Sequence, residues 1–150
     1  PILFNSLRHG KSEIYATDTT GSTELRLTYN QECNDIEASW TPDGQRILFA
    51  RHCGTGYGIY VMNADGTNQR SIRDAAGSER NPAMSPDGRT IAFTWAGSSG
   101  NDWQLYLMNA DGSNVRPLTS GVGIDGMVRA SWSNTPPESG RKRPPQYHAS

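Results

Sequence analysis

Ile59-Tyr60-Val61-Met62-Asn63-Ala64-Asp65-Gly66 returns as Leu105-Tyr106-Leu107-Met108-Asn109-Ala110-Asp111-Gly112 and, more loosely, as Ile14-Tyr15-Ala16-Thr17-Asp18-Thr19-Thr20-Gly21. The offsets are 46 and 45 residues. A second stretch keeps the same beat: Trp40-Thr41-Pro42-Asp43-Gly44-Gln45-Arg46-Ile47-Leu48-Phe49 recurs 44 residues later as Met84-Ser85-Pro86-Asp87-Gly88-Arg89-Thr90-Ile91-Ala92-Phe93. Two motifs in one phase imply one repeated supersecondary unit. A period in the forties built of short strands and turns points to the four-stranded antiparallel blades of an all-β propeller.

Working outward from these motifs divides the chain into blades. Ile2-Leu3-Phe4 matches Ile47-Leu48-Phe49 and Ile91-Ala92-Phe93, so the chain opens on the second strand of a blade whose first strand is lacking. A polar loop is expected around Arg8 to Lys11, then strands at 13–17 and 25–28. One complete blade is expected with strands near 38–41, 46–51, 58–63 and 69–73, and another near 82–85, 90–95, 103–109 and 115–119. Arg129-Ala130-Ser131-Trp132-Ser133 reads as the first strand of a further blade. The count is twelve strands, or three blade equivalents, within a repeat region of residues 1–133. From Asn134 the composition turns to Pro136, Pro137, Arg141-Lys142-Arg143, Pro144 and Pro145, a Pro-rich basic tail over residues 134–150.

The repeated turn residues have local reasons. Pro42-Asp43-Gly44 and Pro86-Asp87-Gly88 suit tight reversals, because Pro presets one dihedral, Asp bonds its own backbone and Gly accepts a positive φ. Asn63-Ala64-Asp65-Gly66 and Asn109-Ala110-Asp111-Gly112 build the hairpins between third and fourth strands in the same way. Calcium binding by these aspartates is the alternative, but the run lacks the ligand density of a calcium loop. Trp40, Met84 and Trp132 occupy equivalent places and are expected to pack between blades.

The formal charge of −1 gives no general attraction to nucleic acid or an anionic membrane, and three basic residues among prolines do not change that. No apolar run approaches the roughly 20 residues that span a bilayer. The chain opens at Pro1 without an initiator Met or signal pattern, so a processed product or a piece of a longer sequence is expected. Phosphate loops, dinucleotide fingerprints and Gly-Xxx-Ser-Xxx-Gly nucleophile motifs are lacking, and Gly97 to Gly100 reads as a flexible loop. No cofactor or metal is called for.

The order strand, Trp-Ser-Pro-Asp-Gly, Ile-Ala-Phe, variable loop, Ile-Tyr-Val-Met-Asn-Ala-Asp-Gly, then Arg-Xxx-Leu-Thr resembles the repeat of TolB-like propellers, also called the WD40-like beta-propeller repeat. The resemblance covers most of residues 2–133, and weakens where Ser133 is followed by Asn134 rather than Pro-Asp-Gly. It implies four-stranded blades, commonly six around an axis, and favours a periplasmic or extracellular location. Related repeats serve in the Tol-Pal periplasmic protein, as gating or docking domains of serine peptidases, and in polysaccharide lyases. Three blades are too few for an ordinary ring. Two copies joined head to tail, or missing blades in a longer chain, would complete it.

In an up-and-down blade the loops from strand four to the next strand one, and from strand two to strand three, emerge on one face. Those are the segments that vary between repeats, so this face and the central channel are the expected binding surface for a protein or small ligand. Its candidate residues are Arg8, His9, Asp35, Glu37, His52, Tyr57, Arg80, Trp95, Trp103, Asp125 and Arg129. Tyr57, Trp95 and Trp103 offer surfaces on which a sugar or peptide would stack. Cys33 and Cys53 fall at the same face, where a disulfide and two free thiols are both open readings. The reading is a non-catalytic binding module. The alternative is a metal-assisted lyase or hydrolase-like enzyme in which His9 and His52, read as matching repeat positions, join Asp35 or Glu37 around the channel.

Overall fold

A computed structural model describes residues 1–97, 102–120 and 130–133. These form three antiparallel sheets and no helix, and hence no helix long and apolar enough to cross a membrane. The first sheet has β1 (Ile2–His9), β2 (Lys11–Thr17) and β3 (Glu24–Arg26) in that order. The second has β4 (Asn34–Trp40), β5 (Arg46–His52), β6 (Tyr57–Asn63) and β7 (Arg70–Arg73). The third has β8 (Ser78–Met84), β9 (Thr90–Ala96), β10 (Gln104–Asn109) and β11 (Arg116–Pro117). Each sheet runs in sequence order, as up-and-down propeller blades require.

Alternation along the strands explains why their apolar runs are continuous. Ile47 and Phe49 of β5, with Met62 of β6, point into the seam against the first sheet, where they meet Ile14 and Leu27. Leu48, Ile59 and Val61 point the other way, against Ile91, Phe93 and Met108 of the third sheet. A blade covered on both faces needs apolar residues at odd and even positions alike. Trp40 packs against the first seam and Met84, its repeat equivalent, against the second. Trp132 is 39% exposed, its Nε1 donating to the Ala83 carbonyl at 2.9 Å.

The turns follow the expected chemistry. Thr41 Oγ1 and the Gln45 N–H donate to Asp43 Oδ1 at 2.5 and 3.0 Å, and Ser85 Oγ and the Arg89 N–H donate to Asp87 Oδ1 at 2.6 and 3.1 Å. Thr67 and Ser113 bond Asp65 and Asp111 in the same manner. Gly66 and Gly112, at φ +86° and +89°, have a further duty: a Cβ on either would stand 2.5 Å from a carbonyl oxygen of the preceding blade, Leu27 for one and Ile72 for the other. These glycines let each blade's outer hairpin seat on its neighbour, a constraint the turn alone does not impose.

Several boundaries differ from the sequence reading. The first strands of the complete blades begin at Asn34 and Ser78, four residues earlier than expected, and each carries a register shift beside a residue of positive φ, Glu37 at +57° and Asn81 at +52°. Such bulges were invisible because Glu and Asn do not announce a left-handed backbone as Gly does. Arg8 and His9 lie in β1 rather than in a polar loop, since only Gly10 separates β1 from β2. Register also separates the two histidines: Tyr57 pairs with His52, while Phe4 pairs with Tyr15 as Phe49 pairs with Tyr60, which puts Leu7 rather than His9 at the place of His52. The described residues hold eleven strands, and residues 130–133 are not strand. Asp125, Arg129, most of the Gly97 to Gly100 loop and the 134–150 tail lie outside the described residues.

Candidate functional site

The face at the starts of β4, β6 and β8 and the end of β5 is built around carboxylates held by arginines. Asp35, fully buried near the start of β4, accepts from Arg51 Nε at 2.7 Å and Nη2 at 2.8 Å, and from Asn30 Nδ2 at 2.7 Å. Burial works against the Arg51 charge, but Asp35 more than offsets it and holds the guanidinium above its ordinary range. The same guanidinium lies over the Phe49 and Tyr60 rings, at 5.2 and 5.0 Å from their centroids. Glu13, fully buried in β2, takes the Asn30 backbone N–H, the Thr28 hydroxyl and Arg26 Nη2 at 3.3 Å.

Glu37 crosses from one blade to the next. Its bulged backbone turns the side chain toward Arg80, whose Nε is 3.3 Å away and whose Nη2 also donates, and toward the Asn81 N–H at 2.9 Å. The Arg80 guanidinium lies 4.7 Å from the Tyr57 ring centroid, and Tyr57 in turn meets the His52 ring at 4.9 Å. His52, Tyr57, Arg80 and Glu37 therefore form one contiguous patch across the second and third blades. Beside it, Cys33 and Cys53 are joined in a disulfide with Cα atoms 4.5 Å apart, tying the start of β4 to the end of β5.

The other candidates take different places. Arg8 ion-pairs with Glu24 and lies over the Tyr15 ring at 4.7 Å, and His9 Nδ1 is 2.8 Å from the Tyr15 hydroxyl, so both make their contacts within the first blade. Trp95 turns into the seam between the second and third blades, edge-on to Tyr106 at 5.3 Å, with Nε1 donating to the Ala76 carbonyl at 3.3 Å. Trp103 is half-buried just before β10. Among the described residues, no three His, Cys, Asp or Glu side chains gather at metal-ligand spacing, so the cluster of His9, His52, Asp35 and Glu37 is not assembled.

Glu13, Arg26, Arg51, Arg73 and Glu79 are not among the candidate residues named from the sequence. One signal was present: Asp35 and Glu79 stand 44 residues apart, the beat of the Pro-Asp-Gly turns. Arg73 Nε lies 2.8 Å from Glu79 Oε1, but poorly aligned for a hydrogen bond, and the Ala75 N–H donates to Oε2 at 3.3 Å. Burial pushes the Glu79 carboxyl above its usual range, with the Ala75 N–H and Arg73 opposing. A folded pKa above the unfolded value favours folding below the unfolded pKa and loses that contribution as pH rises through the folded one. The turn residues Asp18, Asp43, Asp65, Asp87 and Asp111 are held below the usual range by hydrogen bonds from their neighbours, so their contribution is lost as pH falls. Glu79→Gln is therefore expected to compare more favourably with the parent at pH 7 than at pH 4 in urea unfolding. A stability difference independent of pH would contradict this account of Glu79.

Comparison with known proteins agrees with this architecture. The model of the PD40 family, TolB beta propeller domain, matches residues 1–94. An uncharacterised protein of Agrobacterium fabrum is 30% identical over 89 residues, which cover 59% of this chain and 30% of the relative. The Tol-Pal system protein TolB of Geobacter sulfurreducens is 31% identical over 79 residues, covering 53% of this chain and 18% of that protein. A solved TolB-type structure from Agrobacterium tumefaciens superposes with a TM-score of 0.78 at 27% identity, over 88% of this chain and 50% of its own. TolB from Acinetobacter baumannii shares the fold, with a TM-score of 0.67 at 20% identity over 85% of this chain and 32% of its own. The chain thus spans half or less of these relatives. The family model covers more than half of the chain, and with three sequence-ordered antiparallel blades this protein belongs to the PD40 TolB beta-propeller domain family.

Proposed function

We propose that this chain is a non-catalytic binding module that engages a protein segment or a small ligand through its loop-bearing face and central channel. The observation that carries the reading is the His52–Tyr57–Arg80–Glu37 patch. A cation, two rings and a carboxylate are held rigidly by neighbouring blades, beside a disulfide that fixes the adjoining strand ends. Amphipathic rings and an arginine in one preorganised patch suit recognition of an extended polypeptide, where large contact area comes at small entropic cost. Asp35, Glu37 and Glu79 are each engaged by an arginine, which suits scaffolding better than proton transfer.

The test is selection of a random 12-residue peptide library on the immobilised chain, followed by affinity measurement on Tyr57→Ala and Trp103→Ala variants. Enriched peptides that lose at least tenfold in affinity on Tyr57→Ala support the reading. No enrichment, or binding indifferent to both substitutions, overturns it. Binding of oligosaccharides alone from a parallel panel would replace the protein partner by a small ligand.

A second reading concerns the ring itself: further blades complete it, from a second copy of this chain or from a longer sequence. Each sheet packs its neighbour through a continuous apolar seam, and among the described residues no inner strand lies beside β1 in the first sheet. The compartment we assign is periplasmic or extracellular, which the Cys33–Cys53 bridge and the Tol-Pal relatives support.

A further inference from the structure

The seam between the first two blades has two sides. Ile47, Phe49 and Met62 of the second blade are buried on one, and Ile14, Ala16 and Leu27 of the first blade face them. At its rim sits Gly66, close enough to the Leu27 carbonyl that no side chain fits between, and Gly112 meets the Ile72 carbonyl identically at the next seam. The joint is thus built twice by the same parts.

Both halves of a third joint are present and unmatched among the described residues. Gly21 closes the corresponding hairpin of the first blade, has φ +70°, and has open space within 4 Å where Gly66 and Gly112 have a carbonyl. Ile2 stands at the repeat position of Ile47 and is 52% exposed, where Ile47 is fully buried. At the other end, Leu118 occupies the place of Leu27: Leu27 N–H donates to the Ile14 carbonyl at 2.8 Å and Leu118 N–H to the Leu105 carbonyl at 2.7 Å. Thr28 and Thr119 follow suit, accepting from the Ile14 and Leu105 N–H groups at 2.9 and 3.0 Å. Leu27, covered by the second blade, is 2% exposed, whereas Leu118 is 55% exposed.

We propose that the open face of the first blade docks on the open face of the third blade of a second copy of this chain, seating Gly21 of each copy on the Leu118 carbonyl of the other. The proposal rests on the ring-completion reading above and names its joint. Its two surfaces are the terminal versions of a seam that the molecule already forms twice, so the occupant must carry the same blade geometry, and this chain carries it. Two such head-to-tail joints related by a twofold axis close the ring and leave neither face open. The superposed structure from Agrobacterium tumefaciens is matched over 50% of its chain, so two copies supply as much chain as that one molecule.

Light scattering across a concentration series, on the 150-residue chain, reads the result directly. The parent chain is expected at twice the mass of one chain. Gly21→Asn keeps a residue that tolerates positive φ but adds the Cβ the joint excludes, and is expected to raise the dimer dissociation constant at least tenfold. Leu118→Asp, altered on the opposite surface, is expected to do the same. Gly44→Asn, at φ +68° with equally open surroundings on another turn, serves as the control and is expected to leave the mass unchanged. Near-UV circular dichroism checks that each variant is folded. A parent chain that stays monomeric overturns the second copy as occupant and assigns the missing blades to a longer sequence. A dimer that survives both Gly21→Asn and Leu118→Asp overturns this joint while leaving self-association standing.

Discussion

Arg51→Met is expected to lower the unfolding free energy by about 3–5 kcal/mol, because it leaves a buried carboxylate without its cation. Asp35 has no exposed surface, and two of its three side-chain hydrogen bonds come from Arg51. The guanidinium also covers Phe49 and Tyr60, so the substitution removes packing as well as charge. Adding Asp35→Asn to Arg51→Met is expected to recover a large part of the loss, since a neutral amide in that place no longer needs a counter-charge. Urea unfolding of parent, single and double variants gives the coupling directly. If the double variant is as unstable as the sum of the two single ones, the residues are not acting as a pair.

Phe93→Ala is expected to cost about 3–5 kcal/mol, the range for truncating a large buried ring. Phe93 is fully buried between the second and third blades, 5.8 Å from the Tyr106 ring, with Arg73 6.0 Å from its centroid. No backbone ladder joins one blade to the next, so a cavity here loosens a seam held mainly by side-chain packing. Phe93→Leu is expected to cost substantially less, since most of the volume stays. For contrast, Tyr29 is 68% exposed and touches Arg26 through its ring, and Tyr29→Ala is expected to cost no more than about 1 kcal/mol. Equal losses for Phe93→Ala and Tyr29→Ala would mean that the seam does not govern stability.

The legibility of this chain divides along a physical line. The Pro-Asp-Gly and Asn-Ala-Asp-Gly turns could be read because their residues solve a local problem: backbone reversal within four residues, stabilised by a side chain two positions away. The apolar strands could be read because burial on both faces leaves a run of Ile, Leu, Val and Phe. The candidate patch was legible only as a set of variable segments. His52, Tyr57, Arg80 and Glu37 come from four strands of two blades, and their contacts depend on bulges at Glu37 and Asn81 that no local rule signals. His9 and Trp95 were drawn into the same set by position and then separated by register and by side-chain direction.

By itself, then, the sequence determined the repeat, the blade as its unit, the order of strands and the turn chemistry, all of which rest on interactions within a few residues or on the period of hydrophobicity. Tertiary structure alone decided which arginine holds which carboxylate, that Cys33 meets Cys53, and that Gly66 and Gly112 serve the seams as well as their turns. Those outcomes depend on where one blade places its atoms against the next, and a distance between blades is not encoded in any single stretch of chain.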